Sequence, residues 1–208
     1  MAKVIENFLP LEYQDKVSDM LNDDYFPWYY TSSIYNKKLE VPEFENITYS
    51  PGLYHTVKDG EKGVNSNSNV VDRITPILDY FEKHENVSIE EVLRIRIRRT
   101  LQYPGHDETK YNVPHVDLHG IDNYKTLIYY PEDSDGDTIL FESKKRFDTE
   151  NHVDIVENIK GEIGRFAPKK GRAIYFKGET IHAGNNPINY PVRTVINFDF
   201  LVKEQYAN

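Results

Sequence analysis

The hydrophobic period of this chain changes partway along, from about 3.6 residues to two, and no other feature limits its fold more tightly. After Ser88, the residues Leu93, Ile95, Ile97, Leu101 and Tyr103 alternate with Arg94, Arg96 and Arg98, the pattern of a strand with one buried face. Further strand candidates follow at residues 115–119 (HVDLH), 124–130 (YKTLIYY), 137–142 (DTILFE), 172–176 (RAIYF), 180–183 (TIHA) and 192–202 (VRTVINFDFLV). Turn-forming stretches at 131–137 (PEDSDGD), 168–171 (PKKG) and 184–187 (GNNP) separate several of them. Short strands with regular turns predict an antiparallel sandwich or barrel.

Before Ser88 the spacing is helical. Pro10 followed by Tyr13, Val17, Met20 and Leu21 predicts an amphipathic helix with proline in its first turn, lying against a sheet. Val71, Ile74, Leu78 and Phe81 form a second stripe, interrupted by Pro76. With Thr75 as N-cap and Pro76 at the first helical position, that stripe becomes two short helices or one kinked helix. Residues 25–35 (YFPWYYTSSIY) suit an extended segment. Its Trp28, Tyr29 and Tyr30 could line a groove, but aromatics at strand spacing are more often core. Residues 59–69 (DGEKGVNSNSN) read as a mobile loop.

A chain of 208 residues can bury one core, and one domain spanning 1–208 is expected, with N-terminal helices and strands in 1–90 and the β core at about 92–202. Sixteen tyrosines and ten phenylalanines supply large, partly polar rings for that core. The net charge of −9 gives no general attraction to phosphate backbones or anionic membranes. No run of apolar residues approaches the roughly 18 that a membrane-spanning helix needs, and no secretory signal is evident, so a soluble cytoplasmic protein is expected. Cysteine is absent, which removes disulfides, thiolate zinc sites and cysteine nucleophiles together. Any metal must be held by histidine and carboxylate.

His115 and Asp117 are two apart on a predicted strand, so their side chains leave one face about 7 Å apart at the backbone and can converge on one ion. His182, in a later predicted strand just before a turn, is the best candidate for a third ligand. Two imidazoles and one carboxylate, with the opposite face of the ion open, form the facial triad of non-haem iron(II) oxygenases. Spacing alone leaves a plain alternative open: a surface histidine, a turn aspartate and an unrelated core histidine. Arg193, 11 residues after His182, strengthens the functional reading. Val192, Thr194, Ile196, Phe198 and Phe200 form the apolar face of its strand, which puts Arg193, Val195 and Asn197 on the face toward the pocket. An inward arginine is expensive unless paired, and a bound diacid would supply the pair; an exposed strand-end arginine is the alternative.

Residues 101–117, LQYPGHDETKYNVPHVD, resemble the Tyr-Pro-Gly…Tyr…His-x-Asp segment of the prolyl-4-hydroxylase and hypoxia-factor prolyl hydroxylase group of 2-oxoglutarate oxygenases. The resemblance continues through TLIYY (126–130), GDTILF (136–141), His182, Arg193 and Asn197, and covers roughly residues 92–202. The first 90 residues carry only a looser likeness, in FPWYY (26–30). The resemblance implies a mainly β, double-stranded β-helix (a cupin-like jelly roll) with flanking N-terminal α-helices. It implies iron(II) on His115, Asp117 and His182, with Arg193 pairing the distal carboxylate of 2-oxoglutarate, helped by the Tyr130 hydroxyl. Tyr103 would sit near the metal end of the co-substrate, with Asn197 close by. Two departures stand out: Asp137 replaces the family's usual second glycine, and a long segment (143–170) precedes the strand that leads to His182.

The implied reaction uses O2 and 2-oxoglutarate, with ascorbate as an optional addition, and yields succinate, CO2 and an oxidant able to take hydrogen from an unactivated C–H bond. Asp117 favours hydroxylation over halogenation, because related halogenases carry a small residue there. The expected substrate is a peptidyl or free amino acid, proline by default. Oxidation of a nucleic-acid base is the alternative within the class, disfavoured by the acidic balance, and an inactive β-helix binding module is the alternative outside it. Oligomeric state stays open. His119, on the same predicted strand face, is a rival ligand or a hydrogen-bonded neighbour, the second being favoured. Arg94, Arg96, Arg98 and Arg99 are expected on a solvated strand face rather than a nucleic-acid track. Lys144, Lys145, Arg146, Lys169 and Lys170 are expected as solvated loop charge, and His55, His84, His106 and His152 show no ligand spacing.

Overall fold

The computed structural model describes residues 2–31, 47–48, 50–59, 64–65, 69–144 and 152–203. The N-terminal part comprises β1 (Lys3–Ile5), α1 (Leu11–Leu21), β2 (Tyr29–Thr31), β3 (Ile47–Thr48), β4 (Gly52–Asp59), β5 (Val64–Asn65), α2 (Asn69–Ile74) and α3 (Pro76–Glu85). Then come β6 (Ile89–Leu101), β7 (Tyr111–Asn112), β8 (Lys125–Tyr129), β9 (Thr138–Ser143), α4 (His152–Asn158), β10 (Ile159–Phe166), β11 (Ala173–Lys177), β12 (His182–Gly184) and β13 (Val192–Val202). The interrupted helical stripe resolves as two short helices. Pro76 opens the second, and the Thr75 hydroxyl donates back to the Val71 carbonyl at 3.0 Å instead of capping.

Strands pair antiparallel in the order β1-β11-β8-β13-β6-β4-β2, with β5 added to β4, to form the major sheet. A smaller antiparallel sheet, β10-β9-β12, belongs to the second wall of the β-helix, and β3 pairs β7 in parallel. Alternation along the long strands divides the residues between two environments. On the outer face of the major sheet, Ile97, Leu127, Tyr129, Ile196, Phe198 and Phe200 are buried with Val17, Leu21, Ile74 and Phe81 of the helices. On the inner face, Ile128, Tyr130, Ile174, Phe176 and Val195 pack with Leu140 of β9. A third cluster joins Ile139, Phe141, Ile181 and Ala183 to Ile155 of α4, on the other side of the small sheet.

Several sequence expectations are corrected here. Only His115 of the predicted 115–119 strand joins a ladder, through an antiparallel bridge to His182, and the chain turns at 117–120. The long 143–170 segment contains α4 and the eight-residue β10, so part of it builds the second sheet. Trp28 packs against the core with the Arg99 guanidinium 4.7 Å from its ring centroid, whereas Tyr29 and Tyr30 are exposed. The arginine run of β6 is not a solvated face: Arg94 is 4% exposed, and Arg96 bonds the buried Asp59 at 2.6 Å. Residues 32–35, most of the 59–69 loop, Lys145, Arg146 and the His152 side chain lie outside the described residues. Among the described residues, no helix is long and apolar enough to cross a membrane.

Phe81 ties helices to sheet, edge-on to Phe200 at 5.2 Å and to Tyr175 at 4.8 Å between ring centroids. Phe81→Ala should cost about 3–5 kcal/mol of stability, read as a shift in the urea unfolding midpoint.

Candidate metal centre

The bridge between His115 and His182 makes the two residues direct cross-strand neighbours, with mutual backbone hydrogen bonds of 2.9 Å and ring centroids 4.6 Å apart. Each ring is oriented from behind. His115 Nδ1 lies 3.0 Å from the Val113 carbonyl and His182 Nδ1 lies 3.0 Å from the Thr180 carbonyl. A carbonyl only accepts, so each Nδ1 carries the proton and each Nε2 is left as a free base, the usual arrangement of a metal-ligating histidine. Asp117 Oδ2 is 3.2 Å from His182 Nε2, and Oδ1 is 3.8 Å from His115 Nε2. One ligand atom from each residue lies within 4.8 Å of the other two.

The charges of this cluster suit a cation. Burial works against charge on both rings and, together with neighbouring His182, holds His115 well below the usual histidine range. Burial also opposes ionisation of Asp117, but Arg94 and the imidazoles outweigh it and hold the carboxyl well below its usual range. Burial opposes charge on His182 too, yet the Asp117 carboxylate raises it. A divalent ion between these atoms would meet the Asp117 carboxylate and the Nε2 lone pairs of both rings. The donor set of two neutral imidazole nitrogens and one carboxylate oxygen fits a non-haem iron(II) site.

Asp117 is held from the major sheet. Asn197 Nδ2 donates to its Oδ2 at 2.7 Å, and the Arg94 guanidinium lies against Oδ1. Arg94 also bonds Asp199 at 2.9 Å, and Asp199 accepts from the Thr126 hydroxyl at 2.7 Å. Burial, then the nearby Asp117 charge, pushes Asp199 up to about 7. Neither Arg94 nor Asp199 is among the residues expected from sequence. Their signal is one of register: Asp199 continues the inward row of Arg193, Val195 and Asn197, and Arg94 is its direct partner across the ladder.

Arg193 occupies the other end of the same cleft, 5% exposed. Its Nε donates to the Gly136 carbonyl and its Nη2 to Thr138 Oγ1 at 2.6 Å. The Tyr130 hydroxyl donates to the same Oγ1 at 2.8 Å. Gly184 makes room for this guanidinium, since a Cβ there would stand 3.1 Å from Nη1. Ile128 and Val195 supply apolar wall between the two ends, and Arg98 also lines the cleft.

The structure therefore brings together His115, Asp117, His182, Asn197 and Arg193. Tyr130 is not on the cleft wall and touches the arginine end through Thr138, a residue not singled out from sequence. Tyr103 is not brought to this cleft: it is 44% exposed and lines a separate surface cavity with Pro104, Gly105, His106 and Ile188, beyond the end of β6 at Leu101. His119 stays outside the ligand cluster despite the strand-face expectation, since the turn after Asp117 breaks the alternation.

No protein-family model matches the sequence, and no curated protein matches it. Solved structures do. An oxidoreductase of the 2OG-Fe(II) oxygenase family from Burkholderia pseudomallei superposes with a TM-score of 0.64 at 12% identity, covering 96% of this chain and 84% of that one. A prolyl hydroxylase from Trichoplax adhaerens, solved with a hypoxia-inducible-factor oxygen degradation domain peptide fragment, gives 0.58 at 13% identity, covering 96% and 83%. A prolyl-4-hydroxylase from Pseudomonas putida gives 0.52 at 12% identity, covering 98% and 93%. The chain has the jelly-roll fold of the 2-oxoglutarate/iron(II) oxygenases.

Thr138→Val should leave the buried Tyr130 hydroxyl and Arg193 Nη2 without their shared acceptor. The expected loss is about 1–3 kcal/mol in urea unfolding, with Thr138→Ser close to wild type.

Proposed function

We propose that this protein is a mononuclear non-haem iron(II), 2-oxoglutarate-dependent dioxygenase that hydroxylates an unactivated C–H bond, in a peptidyl or free amino acid. The observation that carries this reading is the presence, in one cleft, of a His-Asp-His ligand cluster and a buried guanidinium at the opposite end. A metal site alone fits many reactions. A fixed arginine fork facing it selects a co-substrate with a carboxylate at its far end.

In this reading His115, Asp117 and His182 would hold iron(II). The iron and co-substrate together supply the oxidative chemistry, with succinate and CO2 as co-products. The chain's own contribution is binding and orientation. Arg193 binds the distal carboxylate, with its side chain fixed by Gly136 and Thr138. Asn197 and Arg94 hold the Asp117 carboxylate in place. Ile128 and Val195 keep water from the middle of the cleft. The peptide bound by the similarly folded Trichoplax hydroxylase supports a peptidyl substrate as the first choice.

Incubation with iron(II), 2-oxoglutarate and O2 should yield succinate even without a primary substrate, through uncoupled turnover. His182→Ala or Asp117→Ala should abolish it while circular dichroism stays unchanged, and surviving turnover in either variant would refute the ligand assignment. Arg193→Leu should raise the 2-oxoglutarate requirement, lowering kcat/KM for it by the equivalent of about 2–5 kcal/mol, the loss expected for a buried charge-assisted pair. An unchanged requirement means that another cation binds the co-substrate.

A further inference from the structure

Past the bridge at His115, the segment that carries Asp117 belongs to no strand, so no regular ladder fixes it. Side chains do so instead: Asn197 of β13 donates to Asp117 Oδ2 at 2.7 Å, the Tyr124 hydroxyl accepts from Leu118 N at 3.1 Å, and Arg94 of β6 reaches Asp117 itself. Its Nη1 donates to the Asp117 backbone carbonyl at 2.6 Å while Nη2 lies against carboxylate Oδ1. Its Nε donates to Asp199 Oδ2 on β13 at 2.9 Å, and Asp199 is anchored by Thr126 of β8 at 2.7 Å. Three neighbouring strands of the major sheet thus converge on one loop residue. Contact with a carboxylate would be enough for a structural ion pair. A hydrogen bond to the carbonyl and an ion contact to the carboxylate of the same residue together also restrain rotation about its Cα–Cβ bond. Oδ2 is then the oxygen turned to His182 Nε2, 3.2 Å away.

We propose that Arg94 is a positioning residue that sets the Asp117 side-chain conformation for metal binding, an inference that rests on the metal-site reading above. Charge alone predicts the opposite effect. A guanidinium beside a cation repels it, so removing only a charge would tighten metal binding, whereas removing a brace weakens it.

The test is a double-mutant cycle read by calorimetric titration of Ni(II) into protein stripped of metal with a chelator. Ni(II) suits the experiment because it binds nitrogen sites more firmly than iron(II), which keeps a site of two imidazoles measurable. Arg94→Met should weaken Ni(II) binding about tenfold to a hundredfold. In an Asp117→Ala background the same substitution should change the affinity by less than about twofold, because no carboxylate remains to be oriented. Equal losses in the two backgrounds would mark Arg94 as merely structural, and tighter binding in Arg94→Met would mark it as a simple charge; either result overturns the proposal. If Arg94→Met does not fold, Arg94→Lys carries the cycle with the same expectation, since it keeps the charge and loses the fork; wild-type affinity there overturns the proposal. His182→Ala run in parallel separates the two readings. Wild type binding no better than His182→Ala defeats the metal site itself, whereas tight wild-type binding without coupling between residues 94 and 117 defeats only the role of Arg94.

Discussion

The register of β6 against β13 is the constraint on which the rest of the molecule depends. It sets Arg94 opposite Asp199, Arg96 opposite Asn197 and Thr100 opposite Arg193, and one step out of phase it sets Ile95 opposite Phe198 and Ile97 opposite Ile196. A slip of one residue in either strand would exchange the faces, driving guanidinium groups into the helix-covered core and phenylalanines into the cleft. Both errors are costly, so the hydrophobic and the polar pattern specify the same pairing. β8 extends the arrangement on the other edge of β13, adding Thr126 opposite Asp199 and Ile128 opposite Asn197.

Charge balance makes the polar inner face tolerable. Arg94, Arg193, Asp117 and Asp199 are all nearly inaccessible to solvent, and their formal charges cancel. Burial of any one of them alone would be strongly unfavourable. Arg94 is shared between two carboxylates, whereas Arg193 donates to the Gly136 carbonyl and the Thr138 hydroxyl, with the Asp137 carboxyl near enough to feel its charge. Carboxylates therefore gather at the ligand cluster, and Arg193 stands at the opposite end of the cleft. A divalent cation at the first and a dicarboxylate spanning the cleft add no net charge, and with one carboxylate at each end a negative group faces the cation and another faces Arg193, the pairing that the proposed reaction requires.

The sequence shows some parts of this arrangement clearly and others hardly at all, and the difference is physical. The alternation in VRTVINFDFLV assigns Arg193, Val195 and Asn197 to the cleft face correctly, because one strand's two faces can be read without knowing its neighbours. The arginines of β6 cannot be placed that way. Alternation shows that Arg94, Arg96 and Arg98 share a face but not what lies opposite, and the partner that buries Arg94 is more than 100 positions away at Asp199. Likewise His115 and Asp117 do converge, though through a bridge followed by a turn rather than along a strand. β4 was not anticipated, although GLYHTVKD alternates once its pairing with β6 is known. Tyr103 marks the limit of motif resemblance, since a shared Tyr-Pro-Gly does not fix the direction of the loop that follows a strand.

With so much of the inner face given to charge and to the cleft, the opposite face has to supply most of the apolar burial. Ile97, Leu127, Tyr129, Ile196, Phe198 and Phe200 are completely covered there, and the cover includes α1, α2 and α3. These helices are therefore integral to the β-helix rather than additions to it. They stabilise one side of the strands whose other side carries Arg94, Asn197 and Arg193. Rigidity of the site follows from the same division: a strand locked by close packing on one face can hold a guanidinium or an amide in fixed position on the other, within the tolerance that metal and co-substrate binding demand.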